Sequence, residues 1–271
     1  MKMSKAIAMN FKTALQCAEL SNDIYADFAG EISFMTMPSA TARLVQSEKT
    51  DTQLAILEDL DDNRTTIVFR GSENNKDWAT NFQLFTKEQN WSKEKKETFR
   101  EEMKAVKKTV RADETLVYPQ EYGEPSRPVR MHEGFIKAYL SIRDEIHEHA
   151  KSSETTQYRV TGHSLGGAIA TLCAVDLQYN FGDRIAIEVY TFGAPRTGNS
   201  AFTKSYNQRV PDTWRIVNGW DAVVGLPAPW QGYRHVDAVM KLARKFTWKI
   251  ISGSLQDHKI SSYILAIQKQ I

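Results

Sequence analysis

The residues best suited to chemistry are Gly162-His163-Ser164-Leu165-Gly166, a GxSxG pattern in which glycines two positions either side of a serine let the chain reverse sharply. The strand-like Tyr158-Arg159-Val160-Thr161 precedes it and the helix-like Ala168-Ile169-Ala170-Thr171-Leu172 follows it. A strand-to-helix turn of this kind lifts the Ser164 Oγ clear of the backbone as a nucleophile. Without that context the five residues would be only a glycine-rich helix start. A serine hydroxyl is a weak nucleophile at neutral pH, so a base must take its proton, and a carboxylate must fix that base's tautomer and stabilise its cation.

On an α/β sheet with such a turn the partners follow in the order acid, then histidine. Of the six histidines only His235 and His258 lie beyond Ser164, which sets aside His132, His147, His149 and His163. His147 and His149, in the charged run 143–149, read as solvent-facing, and His163 as a structural part of the turn. For the acid, Trp214 to Asp221 is an apolar strand ending in Gly219 and Asp221, which places a carboxylate at the strand's carboxyl end, where the catalytic groups of open α/β sheets gather. Asp237 and Asp257 are alternatives, but Asp257 adjoins His258 and is poorly placed to brace its ring, so Asp221 is preferred. A tetrahedral oxyanion needs two preorganised donors. One is the Leu165 N–H, directly after the nucleophile. The other is expected from Arg70-Gly71-Ser72, where Ser72 follows the strand 67–69; the plainer reading of that tripeptide is a turn.

These residues need a scaffold, and the apolar periodicity supplies one. Phe11, Leu15, Ala18, Ile24 and Phe28 predict an N-terminal helix over 11–28 with Gly30 as terminator. Segments 41–47, 52–60 and 65–69, the last two joined by Asp61-Asp62-Asn63, predict a β-meander. Beyond it, strands near 159, from 184 and from 214 alternate with helices over 165–179 and 200–208, the rhythm of parallel strands with crossover helices. The expected architecture is one α/β domain over residues 1–271, a mostly parallel central sheet flanked by helices. Residues 87–114 interrupt it. They are dense in Lys, Arg and Glu, yet Phe99, Met103, Val106 and Val110 recur at helical spacing, predicting a charged amphipathic helix in an insertion around 87–127 that ends in a Pro- and Gly-rich loop at 118–128. It is either a solvated helix over the domain or a cap beside the site.

Composition narrows the function. With 271 residues and 41% hydrophobic content the chain can bury a sizeable core, and a net charge of +2 argues against a nucleic-acid partner. Cys17 and Cys173 lie far apart, outside any metal or redox spacing, and read as free thiols. No apolar run near the start suits a signal peptide and none anywhere suits a membrane span, so the chain reads as cytoplasmic, or exported without a cleaved signal. The stretch from Lys241 to Lys249, with Phe246 and Trp248, reads as an edge strand or helix with lysines in solvent; the alternative is a patch for transient contact with an anionic membrane surface.

Several motifs together resemble the class 3 lipase family, which includes fungal triacylglycerol lipases, plant phospholipases A1 and a feruloyl esterase. They are VFRGS at 68–72 with Trp78 after it, HEGFIKAY at 132–139, GHSLGGA at 162–168, TFGAPRTGN at 191–199, NGWDAVVGLP at 218–227, GYRH at 232–235 and DHKISSY at 257–263. The resemblance implies the α/β-hydrolase fold, a triad of Ser164, Asp221 and His258, an oxyanion hole of Ser72 and Leu165, and no cofactor or metal. It favours His258 over His235, because family members commonly carry a late histidine followed a few positions on by tyrosine, here Tyr263, and it leaves GYRH as scaffold. Val224 departs from the family, where a proline often follows the acid. The segment expected as lid and substrate contact, with Glu73, Asp77 and Trp78, is polar until its tryptophan, whereas a lid opening onto lipid gains about 0.8 kcal/mol for each CH₂ it buries. The implied function is serine-dependent hydrolysis of carboxylic esters of lipids. The alternatives are a soluble-ester or thioester hydrolase of the feruloyl-esterase kind and a non-catalytic membrane-binding protein that has kept the fold.

Overall fold

The computed structural model describes residues 9–26, 28–71, 109–111, 129–236, 239–242 and 256–271. Its sheet is apolar on both faces, and the early strands show how. Successive side chains of a strand point to opposite faces. In β2 (Thr52–Asp59) Leu54 and Ile56 enter one core, Ala55 and Leu57 the other; in β3 (Arg64–Phe69) Ile67 and Phe69 join the first and Val68 the second. With β1 (Thr41–Ser47) these strands form the expected antiparallel meander. Asp51 and Asn63 turn it with φ of 51° and 47°, which Asp and Asn tolerate better than other side chains.

From β3 the sheet continues in parallel through β6 (Gln157–His163), β7 (Ala186–Phe192), β9 (Thr213–Asn218) and β11 (Val239–Leu242), in the spatial order β1-β2-β3-β6-β7-β9-β11 among the described residues. Lys241 is exposed on that last edge strand, as expected, while Phe246 and Trp248 lie outside the described residues. A second, smaller sheet joins β4 (Thr109–Arg111), β5 (Arg130–His132), β8 (Gly198–Asn199) and β10 (Tyr233–Arg234). It corrects one expectation. Most of the helix predicted over 87–114, and the loop at 118–128, lie outside the described residues, but Thr109–Arg111 are strand, paired antiparallel with β5. The β-branched Thr109 and Val110 suit that pairing better than a helix.

Helices cover both faces. On one side are α2 (Glu133–Leu140), α3 (Arg143–Ser152), α4 (Leu165–Phe181) and α5 (Ser200–Arg209); α1 (Phe11–Asp23) and α6 (Ile260–Gln268) pack together on the other, joining Ala14, Cys17 and Ala18 to Ile260, Tyr263 and Ile267. Helix α4 is buried on every side from Gly166 to Leu177, and so is apolar all round rather than amphipathic. Helix α1 starts where Asn10 Oδ1 accepts the N–H groups of Lys12 and Thr13. It stops at Asp23, short of the predicted 28. Asn22 and Asp23 are weak helix formers, and the Asp23 carboxylate instead accepts the Met35 N–H at 3.1 Å, tying the next loop to the helix end.

Cys17 and Cys173 are buried free thiols. Among the described residues no helix is long and apolar enough to cross a membrane.

Candidate active site

Ser164 sits between β6 and α4 with φ 57° and ψ −128°, a conformation a residue with a Cβ rarely adopts. Its neighbours make the turn possible. A Cβ on Gly162 would lie 2.5 Å from the Gly166 carbonyl carbon, and one on Gly166 would collide with the Phe69 carbonyl oxygen. Glycine at both places lets strand and helix cross at backbone distance, which holds the strained serine in place. The turn is closed by the Ser164 N–H donating to Phe192 O at 2.9 Å and the Gly167 N–H to Ser164 O at 3.0 Å.

The three side chains singled out in the sequence come together here. His258 Nε2 lies 2.9 Å from Ser164 Oγ, and His258 Nδ1 lies 2.8 Å from Asp221 Oδ2. A carboxylate only accepts, so the proton sits on Nδ1, and Nε2 of the neutral ring is the lone pair that faces the serine hydroxyl. This is the tautomer a base needs. Asp221 is buried just past the end of β9; its Oδ1 accepts the Val223 N–H at 2.9 Å, and its Oδ2 also accepts the Tyr263 hydroxyl at 2.6 Å. Burial, then the neighbouring Asp221 charge, pushes the Tyr263 phenol well above its ordinary range, so it remains a donor. Gly193, at φ 60°, brings the chain against this group: a Cβ there would be 2.6 Å from Asp221 Oδ2 and 3.0 Å from His258 Nδ1.

The alternatives are otherwise engaged. His235 Nε2–H donates to the Val224 carbonyl at 2.6 Å, and burial with Arg215 nearby holds the ring down at about 3, so it is neutral scaffold. Asp257 accepts the Trp220 N–H at 2.8 Å and fixes the turn in which Gly219 takes φ 49°. Asp237 lies outside the described residues.

Two histidines contradict the solvent-facing expectation. His147 Nε2–H donates at 2.6 Å to the fully buried Asp176, and His149 Nε2 lies 3.3 Å from Thr65 Oγ1. The charged run containing them forms α3, whose inner face turns both rings toward the core.

Leu165 is the first residue of α4, where an N–H has no carbonyl one turn earlier to bond. Ser72, Glu73, Asp77 and Trp78 lie outside the described residues. The approach to Ser72 is fixed: the Arg70 N–H donates to Gln53 O at 3.0 Å, and its Nη1 to Gln53 Oε1 at 2.8 Å. Sequence reasoning missed Gly193, Tyr25 and the hydrogen bond of Tyr263 to the acid. The first was visible only as one glycine of TFGAP.

Residues 66–230 match the sequence pattern of the family Lipase (class 3). The chain is similar to the secreted mono- and diacylglycerol lipase 1 of Fusarium solani, at 36% identity over 109 residues, 39% of this chain and 32% of that protein. It is also similar to the secreted mono- and diacylglycerol lipase MDL2 of Malassezia globosa, at 35% identity over 133 residues, 46% of this chain and 43% of that protein. Both matches therefore span less than half of the relative's own length. Among solved structures, a deletion mutant of the Rhizomucor miehei lipase propeptide complex superimposes with a TM-score of 0.65 at 22% identity, covering 88% of this chain and 69% of that one, a likeness of fold. With the family pattern spanning more than half of its length, this chain belongs to the class 3 lipase family.

Proposed function

We propose that the chain is a serine-dependent carboxylic ester hydrolase acting on lipid esters, with Ser164 as nucleophile, His258 as base and Asp221 as acid. The observation that carries this is the unbroken path from Ser164 Oγ through both nitrogens of His258 to Asp221, at 2.9 Å and 2.8 Å. As Ser164 Oγ attacks the ester carbonyl, its proton passes to His258 Nε2 and the imidazolium is held by Asp221. The carbonyl oxygen becomes an oxyanion for the Leu165 N–H and Ser72. Collapse expels the alcohol, which takes the proton from His258. Water, deprotonated by the same ring, then releases the acid and restores Ser164. Every step uses groups of the protein and water alone.

Family membership and relatives named as mono- and diacylglycerol lipases support lipid esters as the substrate class. The polar run 73–77 favours phospholipid or short-chain esters over a lid that opens on an oil surface. The names of the fungal relatives, both secreted, support an exported protein over a cytoplasmic one.

The test is hydrolysis of p-nitrophenyl esters from acetate to palmitate by wild type beside Ser164→Ala, with and without phospholipid vesicles. Activity lost in the variant supports the serine mechanism and ranks acyl length. Equal activity in both removes Ser164 as the nucleophile, and none in either removes this reading in favour of a binding protein that has kept the fold.

A further inference from the structure

His163 stands next to the nucleophile in the chain but points away from the reacting atoms, into a buried contact between three separate segments. Its Nε2 is 2.6 Å from the backbone carbonyl of His258. A carbonyl only accepts, so Nε2 carries the proton and donates. Nδ1 of the neutral ring then accepts the Tyr25 hydroxyl at 2.9 Å. The His163 and His258 rings lie 4.6 Å apart, tilted by 35°, and the Tyr25 ring meets His163 edge-on at 5.9 Å.

Tyr25 also touches the loop that runs toward Ser72. Its hydroxyl rests so close to Gly71 that a Cβ there would collide with it and lie 2.8 Å from the His163 carbonyl oxygen. Arg70 Nη2 donates to the Tyr25 carbonyl at 3.3 Å, and the Arg70 guanidinium lies 5.9 Å from the centre of the Tyr25 ring. One tyrosine beyond α1 thus meets the backbone before Ser72 directly, and the base through His163.

We propose that His163 and Tyr25 are positioning residues, one strut that holds the backbone of His258 in register with the Arg70-Gly71 loop. The inference rests on the ester-hydrolase reading above. The physical need is plain. The bonds to Ser164 and Asp221 fix the tip of the His258 ring. Its backbone is held by the Lys259 N–H donating to Gln256 O at 3.2 Å and by Asn218 Nδ2 donating to Asp257 O at 3.1 Å, and the His163 bond adds a tie from β6 to the carbonyl of His258 itself. A misplacement of about 1 Å at such a site can cost on the order of 10²-fold in rate. His163 serves as strut because it remains neutral: burial, and then the nearby His258, hold it down at about 3, so it adds no charge beside the imidazolium formed in the reaction.

The experiment compares wild type with His163→Leu, His163→Gln and Tyr25→Phe. It measures kcat and KM separately on p-nitrophenyl butyrate, melting temperature, and the downfield proton resonance of the His258 Nδ1–H. His163→Leu is expected to lower kcat on the order of 10²-fold with KM nearly unchanged. His163→Gln, which returns an N–H near Nε2, should recover most of that loss, and Tyr25→Phe should cost about fivefold, the worth of one hydrogen bond. The downfield proton should broaden or vanish in His163→Leu and persist in His163→Gln. A folded His163→Leu with wild-type kcat, a loss in KM alone, or a glutamine variant as poor as the leucine one would overturn the proposal. If leucine prevents folding, Tyr25→Phe decides: wild-type kcat, or a loss in KM alone, overturns the proposal. Failure of the ester-hydrolase reading looks different: wild type is inactive and a fluorophosphonate leaves Ser164 unlabelled. The downfield proton then decides alone, and its persistence unchanged in His163→Leu would sink the strut.

Discussion

The Tyr263 hydroxyl donates at 2.6 Å to the same Asp221 oxygen that receives the His258 Nδ1–H at 2.8 Å. A buried carboxylate with several donors is held in one rotamer, which is what the base requires of it. Tyr263→Phe removes one donor with almost no change of shape. We expect kcat to fall about tenfold and stability by about 1–2 kcal/mol, checked by ester kinetics and urea unfolding. An unchanged kcat would show that His258 alone orients the carboxylate.

The positive φ of Ser164 predicts a separation of activity from stability. Ser164→Ala and Ser164→Gly should both lose roughly 10⁶ in turnover. Glycine relieves the backbone strain that alanine retains, so Ser164→Gly should melt higher than Ser164→Ala, by the equivalent of about 1 kcal/mol. Identical melting curves would show that the turn stores no strain.

Far from the site, Asp176 gathers Tyr139, Arg143, His147 and Asn180 across α2, α3 and α4. Burial alone would raise its carboxyl, but hydrogen bonds from His147, Arg143 and Tyr139 outweigh that and hold it below its ordinary 3.8. Asp176→Ala leaves Arg143 without its partner and should cost about 3–5 kcal/mol. The sign follows from linkage: a depressed carboxyl contributes its full stability above the unfolded value and loses it as pH falls through the folded one. The gap between wild type and variant should hold steady above about pH 5 and narrow below 3.8 in a pH series of urea midpoints. A gap that widens in acid would contradict the assignment.

Histidines kept neutral inside the fold make a second pH dependence. Burial lowers His132 from 6.5 to about 4, and lowers His163 and His235 from 6.5 to about 3. The unfolded chain takes up these protons first, so stability should drop as pH falls from 6.5 toward 4, with each group contributing at most about 1.4 kcal/mol per pH unit. His235→Gln should lower the slope by close to one proton while leaving kcat within about twofold, as expected of a surface or scaffold position. A slope unchanged by that substitution would mean that His235 is not held neutral.

Much of this could be read from the chain, for definable reasons. Gly162 and Gly166 flank a serine between an apolar strand and an apolar helix, a local pattern, and Asp221 follows the end of a strand, two residues after a glycine. The meander was legible because turn residues separate apolar segments. Other features had no local signature. Strands β5, β8 and β10 have two or three residues, too few to show alternation. His147 lies 29 positions from Asp176, and Tyr25 lies 138 from His163, so only packing reveals either pairing. The charges of α3 concealed its inner face, because two of its half-buried polar side chains, His147 and His149, find partners inside.

The packing of α1 against α6 has a consequence beyond covering the sheet. The segment with His258 and Tyr263 runs straight into α6, whose buried residues rest on Ala14, Cys17 and Ala18 of α1. Local opening of this clasp would withdraw the base and the acid's brace together while the central strands kept Ser164 on its turn. The relay is therefore tied to this helix pair as well as to the sheet, and activity would report an opening of the clasp that the central strands survive.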